Sequence, residues 1–131
     1  MLTHDVQQAL LTWYDDHQRE LPWRLTNDPW AILLSEVLLQ QTQVSRGMVY
    51  WQRMVDAFPT VGSMAQAPVD AVLKAWEGAG YYSRARRLHA LSQRVMLSSS
   101  EGGFDGRLPS SYDELLSLPG IGPYTAAALA S

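Results

Sequence analysis

The chain has 131 residues, of which 47% are hydrophobic, and its formal net charge is −3. A chain of this size forms one domain with a core of its own, and its sequence has no apolar run near the roughly 20 residues of a membrane span. The absence of cysteine excludes disulfides, thiolate metal sites and iron–sulfur clusters held by these residues. The amino terminus lacks the basic start and apolar stretch of a signal peptide, so we expect a cytoplasmic protein.

The sequence predicts an all-α chain of helices joined by short turns, because no segment alternates polar and apolar residues as a strand does. Asp28 and Pro29 suit the cap and first position of one helix, and Ser111 with Glu114 forms a capping box for another. In chain order the predicted helices cover about 6–20, 29 onward, 45–58, 61–66, 69–76, 83–97, the segment after Ser111 as far as 118, and an alanine-rich segment reaching Ser131.

Glu36 is the one carboxylate in the apolar helical run Leu33–Leu39. No lysine or arginine stands three or four residues away, so no cation of the same helix pairs with it. An ionised carboxylate in such surroundings is costly, and a raised pKa would leave Glu36 a proton donor near neutral pH, as a general acid requires. The alternative is a glutamate at the helix edge whose carboxylate reaches water, and this stretch alone leaves both interpretations open.

The segment Leu118–Thr125 places two glycines around Ile121 between two predicted helices. Glycines allow a tight hairpin whose backbone N–H groups point outward where the next helix begins. Such N–H groups and the helix dipole bind a DNA phosphate without lysine, which reconciles DNA binding with a net acidic chain. The alternative is an ordinary turn between helices.

Residues Tyr81–Arg94 include four arginines and a histidine but no acidic residue, which makes this helix a second candidate for phosphate contacts. Arg84, Arg86 and Arg87 point in different directions from a helix, so at most two of them face a phosphate and the rest are solvated. The glycine-rich stretch Ser98–Gly106 is expected to be a mobile surface loop.

Four stretches together resemble the helix-hairpin-helix DNA glycosylases, and they match the adenine-specific branch, the MutY family, closely. They are Leu21–Arg24, Leu34–Val44, Gly80–Arg86 and Leu118–Thr125. The resemblance implies the helix-hairpin-helix glycosylase fold, mainly its six-helix-barrel portion, as one partial domain over residues 1–131 with the hairpin at 118–125. It also implies base-excision repair, in which adenine mispaired with 8-oxoguanine or guanine is rotated out of the stack and its N-glycosidic bond is hydrolysed.

The resemblance assigns catalysis to two residues. Glu36 is the acid aimed at N7, because adenine is a poor leaving group until it is protonated. Tyr124 stands where relatives resembling endonuclease III carry a lysine that attacks the sugar and cleaves the strand. The only lysine here is Lys74, in another predicted helix, so a monofunctional glycosylase is favoured and Tyr124 is given a supporting role near the sugar.

The DNA contacts are also implied by the resemblance. Gln41 and Thr42 look like residues that enter the duplex at the lesion pair, and Tyr81 resembles the aromatic wedge stacked beside the opposite base. Arg24 looks like a wall of the adenine pocket. Without the resemblance, Gln41 would be interpreted as an exposed amide, Tyr81 as a core aromatic and Arg24 as a surface cation. The remaining implied contacts are Arg84, Arg86, Gly120, Gly122 and Thr125.

The family's second carboxylate, four cysteines that hold a [4Fe–4S] cluster and a domain that recognises 8-oxoguanine would lie downstream of these residues. The last predicted helix has about eight residues and is marginal alone. We therefore expect the amino-terminal part of a longer enzyme, truncated within that helix and inactive or nearly so by itself.

We expect no cofactor or metal in these residues and a [4Fe–4S] cluster in a full-length form. The expected protein is a monomer associated with a bacterial nucleoid, with mismatched double-stranded DNA as its partner and no membrane. Two alternatives remain: a non-catalytic helix-hairpin-helix DNA-binding module, and a glycosylase/lyase resembling endonuclease III.

Overall fold

The computed structural model describes residues 27–39 and 44–131, and these form seven α-helices and no β-strand. The helices, α1 to α7 in chain order, are Pro29–Leu39, Val44–Ala57, Val61–Gln66, Val69–Trp76, Tyr82–Met96, Tyr112–Leu116 and Pro123–Ala130, with a 3₁₀ turn at Ser99–Glu101 between α5 and α6. The prediction of an all-α chain is confirmed for these residues. The helix predicted over about 6–20 lies outside the described residues.

Helix α1 is central to the core because it is apolar on nearly every side. Its start has the predicted cap: the Asp28 carboxylate accepts the backbone N–H of Trp30 at 3.1 Å, and Pro29 is the first helical residue. The indole N–H of Trp51 in α2 donates to the carbonyl of Ala31 at 2.8 Å. This bond fixes α2 across the first turn of α1.

The helices pack in neighbouring pairs. Helix α2 packs against α1 and α4, α5 packs against α3 and α4, and α7 packs against α6 and α1. The most deeply buried large side chains are Leu33, Leu34, Leu38, Met54, Met64, Val72, Trp76, Leu88, Leu91, Val95 and Leu115. Within the described part of the chain, no helix combines the length and apolar character that crossing a membrane requires.

Helix α6 begins as predicted and ends earlier. The Ser111 hydroxyl accepts the backbone N–H of Glu114 at 3.2 Å, which confirms Ser111 as the N-cap. It also donates to the Glu114 carboxylate at 2.9 Å, whereas in a capping box that carboxylate accepts the backbone N–H of the N-cap. The backbone N–H of Leu118 then donates to Leu115, only three residues back, at 3.1 Å. Because Pro119 disfavours helical geometry in the residue before it, the helix stops short of the predicted end at Leu118.

The glycine-rich stretch Ser98–Gly106 lies mostly at the surface, as predicted, and forms a closed turn; its mobility stays a prediction. The N–H of Gly103 donates to the carbonyl of Ser98 at 2.9 Å, and that of Asp105 donates to the carbonyl of Leu97 at 2.9 Å. A Cβ at Gly103 would collide with the carbonyl of Leu97. Glycine is used here for close backbone approach, which composition alone does not distinguish from flexibility.

Candidate functional site

The hairpin, Leu118–Thr125, joins α6 to α7 and is held by its own apolar side chains. Leu118 and Ile121 are buried, and the N–H of Ile121 donates to the carbonyl of Leu118 at 3.2 Å. Gly120 has a φ of +79°, and a Cβ added there would lie 3.1 Å from the Cβ of Arg87 in α5. Both the backbone conformation and the close approach therefore favour glycine at this position.

Helix α7 begins within the hairpin, with Gly122 as its N-cap and Pro123 as its first residue, and no side chain caps it. The first N–H groups of a helix have no acceptor inside the helix, and the helix dipole adds positive potential there. A Cβ built on Gly122 meets no atom within 4 Å, so this helix end is open to close approach by an anion. This geometry suits a phosphate, and phosphate binding here stays a prediction.

Two predicted site residues on α7 have opposite environments. Tyr124 is 80% exposed, whereas Thr125 is 2% exposed beside Ala126, which is fully buried. The side chain of Thr125 therefore lies in the core, because successive residues of a helix point about 100° apart and only one of these two faces outward. A DNA contact by Thr125 stays a prediction.

A cleft of about 180 Å³ opens between the hairpin, α5 and α1. Three residues of the predicted site, Tyr81, Arg84 and Gly120, meet in it. The full lining is Val37, Tyr81, Ser83, Arg84, Arg87, Leu88, Leu91, Pro119, Gly120 and Ile121. The other described residues of the predicted site, Glu36, Arg86, Gly122, Tyr124 and Thr125, lie outside this lining.

Glu36 lies in α1, one residue before the cleft-lining Val37. Its side chain is half-buried, whereas its neighbours Ser35 and Val37 are 2% and 7% exposed. Val37 is the residue of α1 that lines the cleft, and α1 packs against α7, the helix that carries Tyr124. The partial burial of Glu36 leaves both interpretations open, and its role as an acid stays a prediction.

Tyr81 ends a strained turn, Glu77–Tyr81, which we call the Tyr81 turn. Gly78 and Gly80 have φ values of +93° and +76°, and Tyr81 itself has the left-handed values φ 54° and ψ 61°. Residues other than glycine rarely adopt this conformation. The turn leaves the Tyr81 side chain 64% exposed beside the cleft, so the interpretation of Tyr81 as a core aromatic is wrong.

Arg84 was predicted as a DNA contact, but it is 9% exposed. Its guanidinium carbon lies 5.8 Å from the centroid of the Trp76 ring, and its Nε and Nη2 atoms are buried without a hydrogen-bond partner among the described residues. Burial lowers the pKa of the Arg84 guanidinium, since loss of water disfavours the charged form. The side chain stacks on an indole rather than extending from the surface, and any role in binding DNA stays a prediction.

Sequence reasoning left Arg87 out of the predicted site. Arg86 and Arg87 are both exposed, but Arg87 is the one that lies against Gly120 and lines the cleft. The cleft is also lined by Ser83 and Leu91. Each is four residues from Arg87, so the three side chains share one face of the helix. The spacing is visible in the sequence, but which face meets the hairpin is not.

The predicted contacts Arg24, Gln41 and Thr42 lie outside the described residues, and their roles stay predictions. The described residues bring no three or more histidine, aspartate or glutamate side chains together as a metal site. The chain also has no cysteine, so its residues do not fit the thiolate ligand set of an iron–sulfur cluster.

Residues 34–125 match the family model of the HhH-GPD superfamily base excision DNA repair proteins. The matched stretch contains Glu36, the lining of the cleft and the hairpin. The chain belongs to the HhH-GPD superfamily. Family membership agrees with the resemblance stated from the motifs. It also accounts for the presence of the hairpin and of α1, which carries Glu36, in one domain.

Similar curated proteins of the superfamily carry the name adenine DNA glycosylase. The relative from Mycolicibacterium smegmatis is 45% identical over 92% of this chain, that from Homo sapiens is 40% identical over 94%, and that from Buchnera aphidicola is 36% identical over 100%. The chain spans 40%, 23% and 36% of the lengths of these relatives, respectively.

Solved structures of the superfamily share the fold. A thermostable thymine-DNA glycosylase superposes with a TM-score of 0.75 at 28% identity, over 94% of this chain and 55% of that protein. A non-covalent endonuclease III–DNA complex gives a TM-score of 0.72 at 23% identity, over 100% of this chain and 60% of that protein. The prediction of the helix-hairpin-helix glycosylase fold is confirmed.

Proposed function

We propose that this HhH-GPD protein excises adenine mispaired with 8-oxoguanine or guanine from double-stranded DNA, with Glu36 as the general acid. The observation that carries the proposal is the position of Glu36: it is half-buried in an apolar helix, and the next residue lines a cleft that also includes Gly120 of the hairpin. The choice of adenine is supported by the relatives that carry the name adenine DNA glycosylase.

Adenine leaves readily only when it is protonated, so the reaction needs a proton donor beside the flipped base. In the proposed step the Glu36 carboxylic acid gives its proton to N7 while the bond between the base and the sugar breaks. Water then adds to the sugar and loses a proton, which completes the hydrolysis. The proposal requires Glu36 to carry its proton when the base is bound.

DNA binding in this proposal uses Tyr81 at the cleft and the hairpin beside it. The exposed ring of Tyr81 enters the stack beside the base opposite adenine, where a flat aromatic side chain substitutes for a lost stacking partner. The open helix end at Gly122 holds a backbone phosphate. We assign Gln41 and Thr42 to the lesion pair and Arg24 to the wall of the adenine pocket.

The proposed enzyme is a monofunctional glycosylase. Strand cleavage through a Schiff base requires an amine near the sugar, and the hairpin instead carries the 80% exposed Tyr124. The one lysine of the chain, Lys74, lies in the last turn of α4, which is not part of the hairpin. We therefore assign Tyr124 a supporting role at the sugar and expect no covalent intermediate.

We also propose that these residues act within a longer monomeric enzyme, cytoplasmic and associated with a bacterial nucleoid. The chain spans 23–40% of the lengths of the relatives that carry the name adenine DNA glycosylase, and a transition state resembling an oxocarbenium ion needs negative charge near the sugar. A longer form would supply a second carboxylate and the cysteines of a [4Fe–4S] cluster. Residues 1–131 alone should then be inactive or nearly so, and turnover equal to that of a longer form would refute this.

A Glu36→Gln substitution tests the proposal, because it keeps the side chain's shape and removes the acidic proton. In a form of the protein that extends past Ser131, we expect adenine excision to fall by about 100-fold or more, while affinity for the mismatched duplex stays unchanged. Glu101→Gln is the matched control, since Glu101 is an exposed glutamate whose carboxylate accepts a hydroxyl from Ser98, as an amide also can. Unaltered excision in the Glu36 variant would refute its role as the general acid, whereas duplex binding with no excision even by the unsubstituted longer form would favour a non-catalytic DNA-binding module.

A second candidate substrate is thymine, favoured by the 28% identity and TM-score of 0.75 to a thymine-DNA glycosylase. The identities of 36–45% to adenine DNA glycosylases favour adenine. Chromatography of the base released from A:8-oxoguanine and T:G duplexes distinguishes adenine from thymine as the substrate.

A further inference from the structure

The Tyr81 turn receives a hydrogen bond from a core side chain. The indole N–H of Trp76 donates to the carbonyl of Gly80 at 2.8 Å, and Trp76 is 1% exposed. A buried indole has little freedom to move, because close-packed neighbours fix its rotamer. The bond therefore ties the peptide unit that enters Tyr81 to the packed interior of the domain.

The same indole also contacts the segment that follows Tyr81. The guanidinium of Arg84 lies over the Trp76 ring at 5.8 Å, and the backbone N–H of Arg84 donates to the carbonyl of Tyr81 at 2.9 Å. Trp76 is thus joined directly to the residue before Tyr81, and through Arg84 to Tyr81 itself. A left-handed non-glycine residue persists only where its surroundings hold it in place, and these contacts provide that support.

The start of the turn is held differently, by side chains at the surface. Arg53 of α2 donates to the carbonyl of Glu77 at 2.8 Å, and Arg46 donates to the carbonyl of Gly78 at 3.3 Å. Both bonds are exposed to solvent, where a hydrogen bond competes with water and contributes less. Among the described residues, Trp76 is the buried side chain that holds the end of the turn nearest Tyr81.

We propose that Trp76 is a positioning residue for recognition of mismatched DNA: its indole N–H holds the Gly80 carbonyl, and so keeps the Tyr81 ring projected from the surface. The inference rests on the proposed function, in which Tyr81 enters the duplex. Preorganisation of this kind improves binding because the free protein already holds the bound conformation. Trp76 acts through Tyr81 and touches neither DNA nor the reacting atoms.

Two substitutions weaken the support in different ways. Trp76→Phe removes the indole N–H, and its matched control is Trp30→Phe, which removes a buried indole N–H that donates to the carbonyl of Phe58 at 2.8 Å. The second substitution is Gly80→Ala. A Cβ at Gly80 meets no atom within 4 Å, but the φ of +76° is unfavourable for alanine.

The control for Gly80→Ala is Gly102→Ala, in the turn after α5. Gly102 also has a positive φ, +86°, and open space around an added Cβ. Gly80→Ala leaves the core untouched, so it still tests whether the shape of the Tyr81 turn matters for DNA recognition if the Trp76 variant fails to fold.

The readout is the ratio of affinities for an A:8-oxoguanine duplex and a fully paired duplex, measured by fluorescence anisotropy with purified protein. Trp76→Phe and Gly80→Ala should each lower the ratio about 2- to 10-fold, the size of one net hydrogen bond or one strained residue. Both control variants should leave it unchanged. Each substitution is repeated in a Tyr81→Ala background, where a residue that acts through Tyr81 has no further effect on the ratio.

Tyr81→Ala alone distinguishes failure of the inference from failure of the proposed function. If that variant leaves the ratio unchanged, the proposed role of Tyr81 is wrong and the inference is overturned with it. If Tyr81→Ala lowers the ratio but Trp76→Phe and Gly80→Ala do not, only the inference is overturned. An equal effect of Trp76→Phe with and without the Tyr81 ring also overturns it, since that pattern indicates a general loss of structure.

Discussion

The hairpin and the Tyr81 turn line the same cleft and each leads into a helix, yet they are stabilised in different ways. The hairpin buries its own Leu118 and Ile121 and closes through a hydrogen bond between them. The Tyr81 turn exposes its aromatic residue and is held by side chains from other parts of the chain, among them Trp76 and Arg53.

The difference separates local from long-range stabilisation at one site. A turn that contains its own anchors keeps its shape as long as its sequence is kept, whereas a turn held from outside depends on residues that have no direct contact with a ligand. Such indirect supports contribute much to the precision of binding sites. The two turns should therefore respond differently to substitution, and the predictions below test that contrast from the largest expected effect to the smallest.

The largest effect should come from Ile121→Ala. Ile121 is 6% exposed, and truncating a buried isoleucine costs about 2–5 kcal/mol through lost burial and the cavity left behind. Chemical denaturation measures the loss. Leu116→Ala, at a residue that is 37% exposed nearby, should cost much less. Equal losses for the two variants would show that the hairpin is not held by its buried side chain.

Within the hairpin, the two glycines should separate stability from DNA binding. Gly120→Ala should destabilise the fold by about 1–3 kcal/mol, because of the positive φ and the approach of Arg87 to 3.1 Å. Gly122→Ala should cost less than about 1 kcal/mol as a cap change but should weaken binding to duplex DNA. Thermal unfolding and anisotropy measure the two effects. The separation fails if Gly122→Ala leaves DNA affinity unchanged.

Arg84→Met should stabilise the fold by about 1 kcal/mol. The substitution keeps an unbranched side chain over the Trp76 ring and removes buried nitrogens that lack partners among the described residues, whose desolvation is costly. Denaturant unfolding measures the gain. A loss of more than about 1 kcal/mol would mean that the cation over the indole contributes more than its burial costs.

The smallest effect should appear in the salt dependence of DNA binding. Arg87→Gln removes an exposed charge beside Gly120 and should reduce the slope of log affinity against log salt by about 1. Arg84→Met should leave the slope unchanged, since the Arg84 side chain is buried. A reduced slope for the Arg84 variant would restore the original prediction that Arg84 contacts a phosphate.

Local signals in the sequence were sufficient for most of the described fold. The helix caps at Asp28 and Ser111 are confirmed, since each depends on residues a few positions apart. The order of helices followed from apolar periodicity and prolines. The hairpin was recognisable for the same reason: its glycines and its buried residues are neighbours in the chain.

Long-range packing decided the rest of the site. Nothing near Arg84 in sequence indicates that its guanidinium lies over Trp76, so it was read as a surface arginine. Thr125 was read as a DNA contact although its helical position turns it toward the core. The role of Arg87 depends on which face of α5 meets the hairpin, and only the packed structure defines that.

The most direct test of the account is to identify what leaves an A:8-oxoguanine duplex in a single-turnover reaction with a form of the protein that extends past Ser131. The account predicts free adenine, an intact strand until alkali is added, no adduct trapped by borohydride, and loss of adenine release in Glu36→Gln. Strand cleavage with a trapped adduct, release of a base other than adenine, or undiminished release by the Glu36 variant would contradict it.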